Sequence, residues 1–185
     1  MMIRSSRRGL RVVRLKGGDP FVLGRGGEEA LALVAAGVPF EVVPGISSAV
    51  AAPALAGIPV THRGLSAAFA VVSGHAESAW RPVLESLAPN SLTLVVLMGL
   101  GQREPLARLL LDRGWAARTP AAVVWAASRP ESSSWRGTLA QLVSAVPESE
   151  TADAPGTIVI GEVVSLAAAL APAVEPELAA AGGSR

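Results

Sequence analysis

The chain has 185 residues, of which half are apolar and 17% charged, with sixteen basic residues against fifteen acidic ones. That balance supports a sizeable core and argues against disorder, where apolar content falls and net charge rises. It also lacks the basic surplus of a dedicated nucleic-acid binder. Cysteine is absent, which removes disulfide frameworks, thiolate metal clusters and thiol nucleophiles. The expected setting is the cytoplasm.

The length allows one ordinary domain or two small ones. The basic stretch Met1–Arg11 reads as the end of a helix, with no apolar signal core following it before Arg14 and Lys16. Arg11–Leu15 is then predicted as a strand stopping at Gly17-Gly18. Gly27–Ala36 follows as a helix, with Glu28 and Glu29 in its first turn, where carboxylates complement the dipole. Phe40–Val43 is a second predicted strand and Ser47–Ala56 a helix of small residues. This β-α-β-α order favours a mainly parallel sheet. The run Val42–Thr61 carries no charge over twenty residues, but Pro44, Gly45, Pro53, Gly57 and Pro59 break it. A buried turn–helix–turn fits it better than a membrane span.

Ile58–Ser66 has neither periodicity and reads as a connector. Predicted next are Phe69–Ser73 (strand), Arg81–Leu87 (short helix), Leu92–Met98 (strand), Glu104–Arg113 (helix) and Ala121–Ala126 (strand). Trp135–Thr138 (strand), Leu139–Val146 (helix), Ile158–Val164 (strand) and Leu166–Ala171 (helix) complete the order. The expected division is 1–65, 66–172 and a tail, 173–185. The second region is a fairly complete α/β unit. The first, with two strands and two helices, leaves sheet edges uncovered and reads as part of a domain.

Leu15-Lys16-Gly17-Gly18-Asp19-Pro20-Phe21 is the most informative stretch. Two glycines at a strand end let backbone approach a ligand with no Cβ in the way, and open α/β sheets bind ligands at such ends. Asp19 offers a carboxylate to ribose hydroxyls or an ammonium; an ordinary Gly-Asp-Pro turn explains the same residues. The Gly24–Gly27 run matches neither a Walker A loop nor a dinucleotide fingerprint. It is either an anion site at a helix start or a flexible connection. In Pro44-Gly45-Ile46-Ser47-Ser48 either serine caps the next helix or contacts a ligand. His62 and His75 are the only histidines, and neither has acidic neighbours at ligand spacing, so no metal site is expected. No Gly-x-Ser-x-Gly elbow occurs. The residues alone stop at an α/β protein with ligand loops at strand ends.

Taken together, several ordered motifs resemble those of uroporphyrinogen III C-methyltransferases, of the tetrapyrrole methylase family. They are Val12–Phe21 with Gly24–Glu29, Val42–Ala49, Gly57–Arg63, Val72–His75, Met98–Leu100 and Pro155–Gly161. The resemblance implies a two-domain α/β architecture that moves methyl groups from S-adenosyl-L-methionine to uroporphyrinogen III. The product is precorrin-2, on the way to sirohaem and cobalamin. It implies a homodimer with the donor in a cleft between domains. Carried over by motif, Gly17, Gly18, Asp19, Val22, Ser47 and Ser48 are expected to contact the donor. Met98 and Ala127 are expected to wall its adenosyl pocket, with Gly156 and Thr157 adding to it. A substrate with eight carboxylates favours arginine partners, and Arg25 and Arg63 are the candidates. No catalytic residue is assigned.

The sequence departs from the family pattern in one respect. Family members open with a further β-α-β region that carries a Gly-x-Gly-Pro-Gly-Asp loop and the acid/base residues proposed for catalysis. This sequence opens just ahead of the Gly-Gly-Asp-Pro strand, so the expected first domain is truncated. A non-catalytic chain that keeps donor binding or dimerisation therefore stays open. So does a methyltransferase acting on a later corrin intermediate.

Overall fold

Five short runs between residues 69 and 160 pair into one sheet in the computed structural model, which describes residues 1–147 and 154–170. The strands are β1 (Phe69–Ser73), β2 (Thr93–Leu97), β3 (Pro120–Trp125), β4 (Ser133–Thr138) and β5 (Gly156–Ile160). Their spatial order is β1-β2-β5-β3-β4. β1 and β2 run parallel, joined by a crossover that contains helix α4 (Glu77–Ser86). The other three pairings are antiparallel.

Period-two alternation sends neighbouring residues of one strand into different cores. Leu94 and Val96 of β2, with Val123, Ile158 and Ile160, meet Trp80 and Leu84 of α4 and Leu106 and Leu110 of the helix α5 (Arg103–Asp112). Val95, Ala122 and Val159 face the other way, onto Ala49 of α3 (Ser48–Leu55) and onto Ile58, Val163 and Ala167. Burial on both faces is why β2 reads as an unbroken apolar run rather than an alternating one. The edge strand β4 is richer in polar residues, as an exposed edge requires.

Most boundaries shift by a residue or two from the sequence expectation, and three differences are larger or change the type of element. Helix α4 starts at Glu77 rather than Arg81. Pro82 suggests a helix start, yet the helix keeps it inside, gaining a fully buried Trp80 and ion pairs from Arg81 to Glu77 and Glu85. β5 ends at Ile160, because Gly161 turns at φ 148°. Val163 and Val164 then bury themselves from a 3-10 turn, Glu162–Leu166, and not from a strand, before the short α6 (Ala167–Leu170). Leu139–Ser144 is likewise 3-10, opened by a reciprocal Thr138–Gln141 capping box. The expected tail, 173–185, lies outside the described residues.

The packing divides into two units, Met1–Ser47 and a second that begins at Ser48. The sequence reading draws its line at 65/66. α3 falls on the near side of that line, yet its buried Ala49 and Ala52 place it with the second unit.

The first unit holds α1 (Met2–Ser6) and α2 (Gly26–Ala35). The expected strands Arg11–Leu15 and Phe40–Val43 are absent as strands: both runs lack regular structure and join no ladder. Extended backbone becomes sheet only when a neighbour pairs with it, and apolar β-branched composition cannot supply one. Val13, Leu15 and Val43 are accordingly 80%, 83% and 74% exposed. A mainly parallel sheet is therefore not what the chain forms; its sheet is mixed and belongs to the second unit. A groove of about 740 Å³ is lined by both runs together with Gly18, Gly45 and, from α2, Ala30 and Leu33. No helix among the described residues is long and apolar enough to cross a membrane.

Leu94→Ala, in the doubly covered sheet, is expected to cost about 2–5 kcal/mol, the range for emptying a buried leucine site. Val13→Ser, at an exposed position, is expected to stay within about 0.5 kcal/mol. Urea unfolding of both variants checks the contrast.

Candidate functional site

In the first unit, two loops that are far apart in sequence meet. Gly17 has nothing within 4 Å of where a Cβ would stand, and Gly18 turns at φ 80°. Gly17 thus leaves backbone uncovered, as a ligand loop needs, and Gly18 takes a turn that disfavours other residues. Asp19 follows, and its carboxylate does not hang free. Oδ1 accepts the Phe21 N–H at 2.8 Å and Oδ2 accepts the Gly45 N–H at 3.0 Å. At the same point a Cβ on Gly45 would lie 2.5 Å from the Gly18 carbonyl oxygen, so only glycine permits this approach. Val22, on the turn after Pro20, donates its N–H to the Asp19 carbonyl at 3.4 Å and is partly exposed.

The Gly24–Gly27 run serves packing as much as access. The Gly26 N–H donates to the Pro20 carbonyl at 2.8 Å, and a Cβ at Gly24 or Gly26 would strike that same oxygen. Lys16, only 13% exposed, reaches the Gly24 carbonyl and pairs with Glu29 at 2.8 Å, while Arg14 meets Glu29 at 3.2 Å. The Lys16 ammonium, and secondarily Arg14, hold the Glu29 carboxyl below its ordinary range. Arg25 caps α2 in the left-handed region and pairs with Glu28 at 3.1 Å, its side chain 81% exposed. Ser47 is half-buried at the end of the unit.

In the second unit, the candidates gather at one end of the sheet. Thr157 is in register with both Leu97 of β2 and Val124 of β3, and Gly156 with Trp125. Met98 and Ala126–Ala127 therefore leave the sheet at the end where β5 enters it. The Ala126 N–H donates to the Pro155 carbonyl at 3.0 Å. Met98 and Ala126 adopt φ 57° and 48°, and Ser128 φ 68°. Left-handed backbone in non-glycine residues is costly and clusters where function needs it. The end of β1 joins the group, because a Cβ on Gly74 would lie 2.4 Å from the Gly99 Cα. Thr157 is buried, Ala127 half-buried and Met98 exposed.

Two further expected residues are placed by other elements. Ser48 is the first residue of α3. Arg63 is exposed in a tight turn closed by paired His62 and Ser66 backbones. Sequence reasoning missed Gly45, Gly74, Gly99 and Ala126 as site-forming positions. For the glycines, their place just beyond apolar runs was the signal available; for Ala126 there was none.

The Gly45 N–H, followed by the Phe21 N–H, holds the Asp19 carboxyl below the ordinary aspartate range. A depressed folded value stabilises the native loops above an unfolded aspartate's pKa of about 3.9, and this contribution is lost as pH falls through the lower folded value. The Phe21 and Gly45 amide resonances are expected to titrate together, with a midpoint below about 3.9. An NMR titration in acid checks this.

Comparison with known proteins places this geometry in context. The model for the tetrapyrrole (corrin/porphyrin) methylases matches residues 1–143. A uroporphyrinogen-III C-methyltransferase of Methanocaldococcus jannaschii is 43% identical over 168 residues, 90% of this chain and 69% of that protein. A siroheme synthase of Neisseria meningitidis serogroup C is 48% identical over 168 residues, again 90% of this chain but 34% of that protein. Among solved structures, the uroporphyrin-III C-methyltransferase of Thermus thermophilus complexed with S-adenosyl homocysteine superposes with a TM-score of 0.74. It is 41% identical and covers 89% of this chain and 72% of that one. The chain belongs to the tetrapyrrole methylase family.

Proposed function

We propose that this chain transfers methyl groups from S-adenosyl-L-methionine to carbon atoms of uroporphyrinogen III, giving precorrin-2 for sirohaem or cobalamin biosynthesis. The observation that carries this reading is the likeness, at 41% identity, to the Thermus thermophilus enzyme solved with the demethylated donor. The site residues support it. Uncovered backbone at Gly17 suits a small polar ligand bound through N–H and C=O groups. An exposed Met98 held in a strained conformation suits an apolar wall for an adenosyl group.

A bound sulfonium donor supplies an activated methyl and an excellent leaving group. What remains for the protein is to hold the methyl in line with the attacking carbon, a matter of orientation rather than of strong acid or base. Gly17, Gly18, Val22, Ser47 and Ser48 are proposed to bind the donor, as are Met98, Ala127, Gly156 and Thr157. Asp19 is treated below. Arg25 and Arg63, both exposed, are proposed to meet substrate carboxylates, for which a guanidinium offers two parallel donors. The proposed assembly is a homodimer, and the proposed location is the cytoplasm.

Calorimetric titration of this chain with S-adenosylhomocysteine, followed by anaerobic assay of labelled methyl transfer to uroporphyrinogen III, tests the reading. One-to-one binding with transfer is expected; a folded sample that does neither refutes it. Met98→Gly is expected to relieve left-handed strain, leaving stability unchanged or higher by up to about 1 kcal/mol. The same variant is expected to weaken S-adenosylhomocysteine binding roughly fivefold or more, by deleting an apolar wall. Denaturant unfolding and titration of this one variant separate the two effects.

A further inference from the structure

The Gly17–Asp19 and Pro44–Ser47 loops follow runs that share no ladder, so the spacing of the loops must be set by other contacts. One such contact is well defined. The Asp19 carboxylate bridges the Phe21 N–H on its own turn and the Gly45 N–H 26 residues on. Gly45 is the residue whose missing Cβ lets the second loop touch the Gly18 carbonyl. A small residue that permits the approach and a carboxylate that holds it form one device.

We propose that Asp19 is a positioning residue: its carboxylate clamps the two ligand loops together through their backbones and does not itself contact the ligand. This deepens the donor-binding reading above and rests on it for the identity of the ligand. It also gives Asp19 a role different from the donor contact that motif resemblance implies. An ionised carboxylate is needed because it accepts from two N–H groups at once, and hydrogen bonds to a charged acceptor are the stronger kind. An asparagine of the same size accepts with one oxygen and turns an NH2 group toward the second N–H.

Two readouts test the clamp, the first without any ligand. Hydrogen exchange at the Gly45 amide is expected to quicken at least about tenfold in Asp19→Asn, while core amides such as Val95 keep their rates. The second is a double-mutant cycle on S-adenosylhomocysteine affinity. Asp19→Asn and Gly45→Ala are each expected to weaken binding about tenfold, and the double variant to be no weaker than the worse single one. Gly45→Ala leaves the carboxylate in place and pries the loops apart, so a residue that touched the ligand directly would give additive losses instead.

Unchanged Gly45 exchange in Asp19→Asn overturns the proposal, and so do additive losses. If the wild-type chain binds no S-adenosylhomocysteine, the donor reading fails, while the exchange experiment still decides the clamp.

Discussion

Burial of β2, β5 and β3 on both faces is the constraint from which the second unit follows. A strand covered on both sides cannot slip by one residue without exchanging its two sets of side chains between cores of different shape. Leu94 and Val96 meet tryptophan and leucine from α4 and α5, whereas Val95 meets alanine and valine. The register is thereby fixed, and with it the level at which each chain segment leaves the sheet. Met98, Ala126 and Gly156 sit at a common end because Leu97, Thr157, Val124 and Trp125 are in register within the ladder. The strain at Met98 and Ala126 is borne by this sheet, whose packed strands hold the exits in place.

The first unit solves the same problem of placing loops by different means. Its two runs at 11–15 and 40–43 lack ladder partners, so side chains tie the backbone. Asp19 binds two amides, and Lys16 takes the Gly24 carbonyl while paired to Glu29. Such ties depend on charge, and they act at single points rather than along a strand. They also explain the composition of the segment: glycine at 24, 26 and 45 is where backbone meets backbone, and the chain's one lysine sits at the centre of the ion-pair group.

How much of this was legible in sequence depends on the range of the interaction involved. β2 was readable to within a residue at each end from the run Leu92–Met98, since a strand buried on both faces leaves a nearly continuous apolar run. α2 was readable from its acidic first turn and Gly37. Arg11–Leu15 has the composition of a strand, but pairing is a property of two segments and the run carries no record of its partner. Val163 and Val164 look like the continuation of β5, because apolar composition reports burial and not conformation. The loop glycines at 17 and 18 pointed to a ligand site, and Met98 and Ala127 entered through resemblance to a known family. The bond from Asp19 to Gly45 was out of reach, being a contact across 26 residues between a turn and a loop. Left-handed backbone at Met98 and Ala126 was equally hidden, since neither residue type signals it.

The placement of the aromatic residues has an optical consequence. All four tryptophans, at 80, 115, 125 and 135, belong to the unit that begins at Ser48, and the chain contains no tyrosine. Three of them are almost completely shielded from solvent. Intrinsic emission of this protein therefore originates in the sheet unit, and the segment bearing the Gly-Gly-Asp loop is dark. A fluorescence melting curve reads the sheet's own cooperativity, and a chromophore added near Asp19 would report the loops directly.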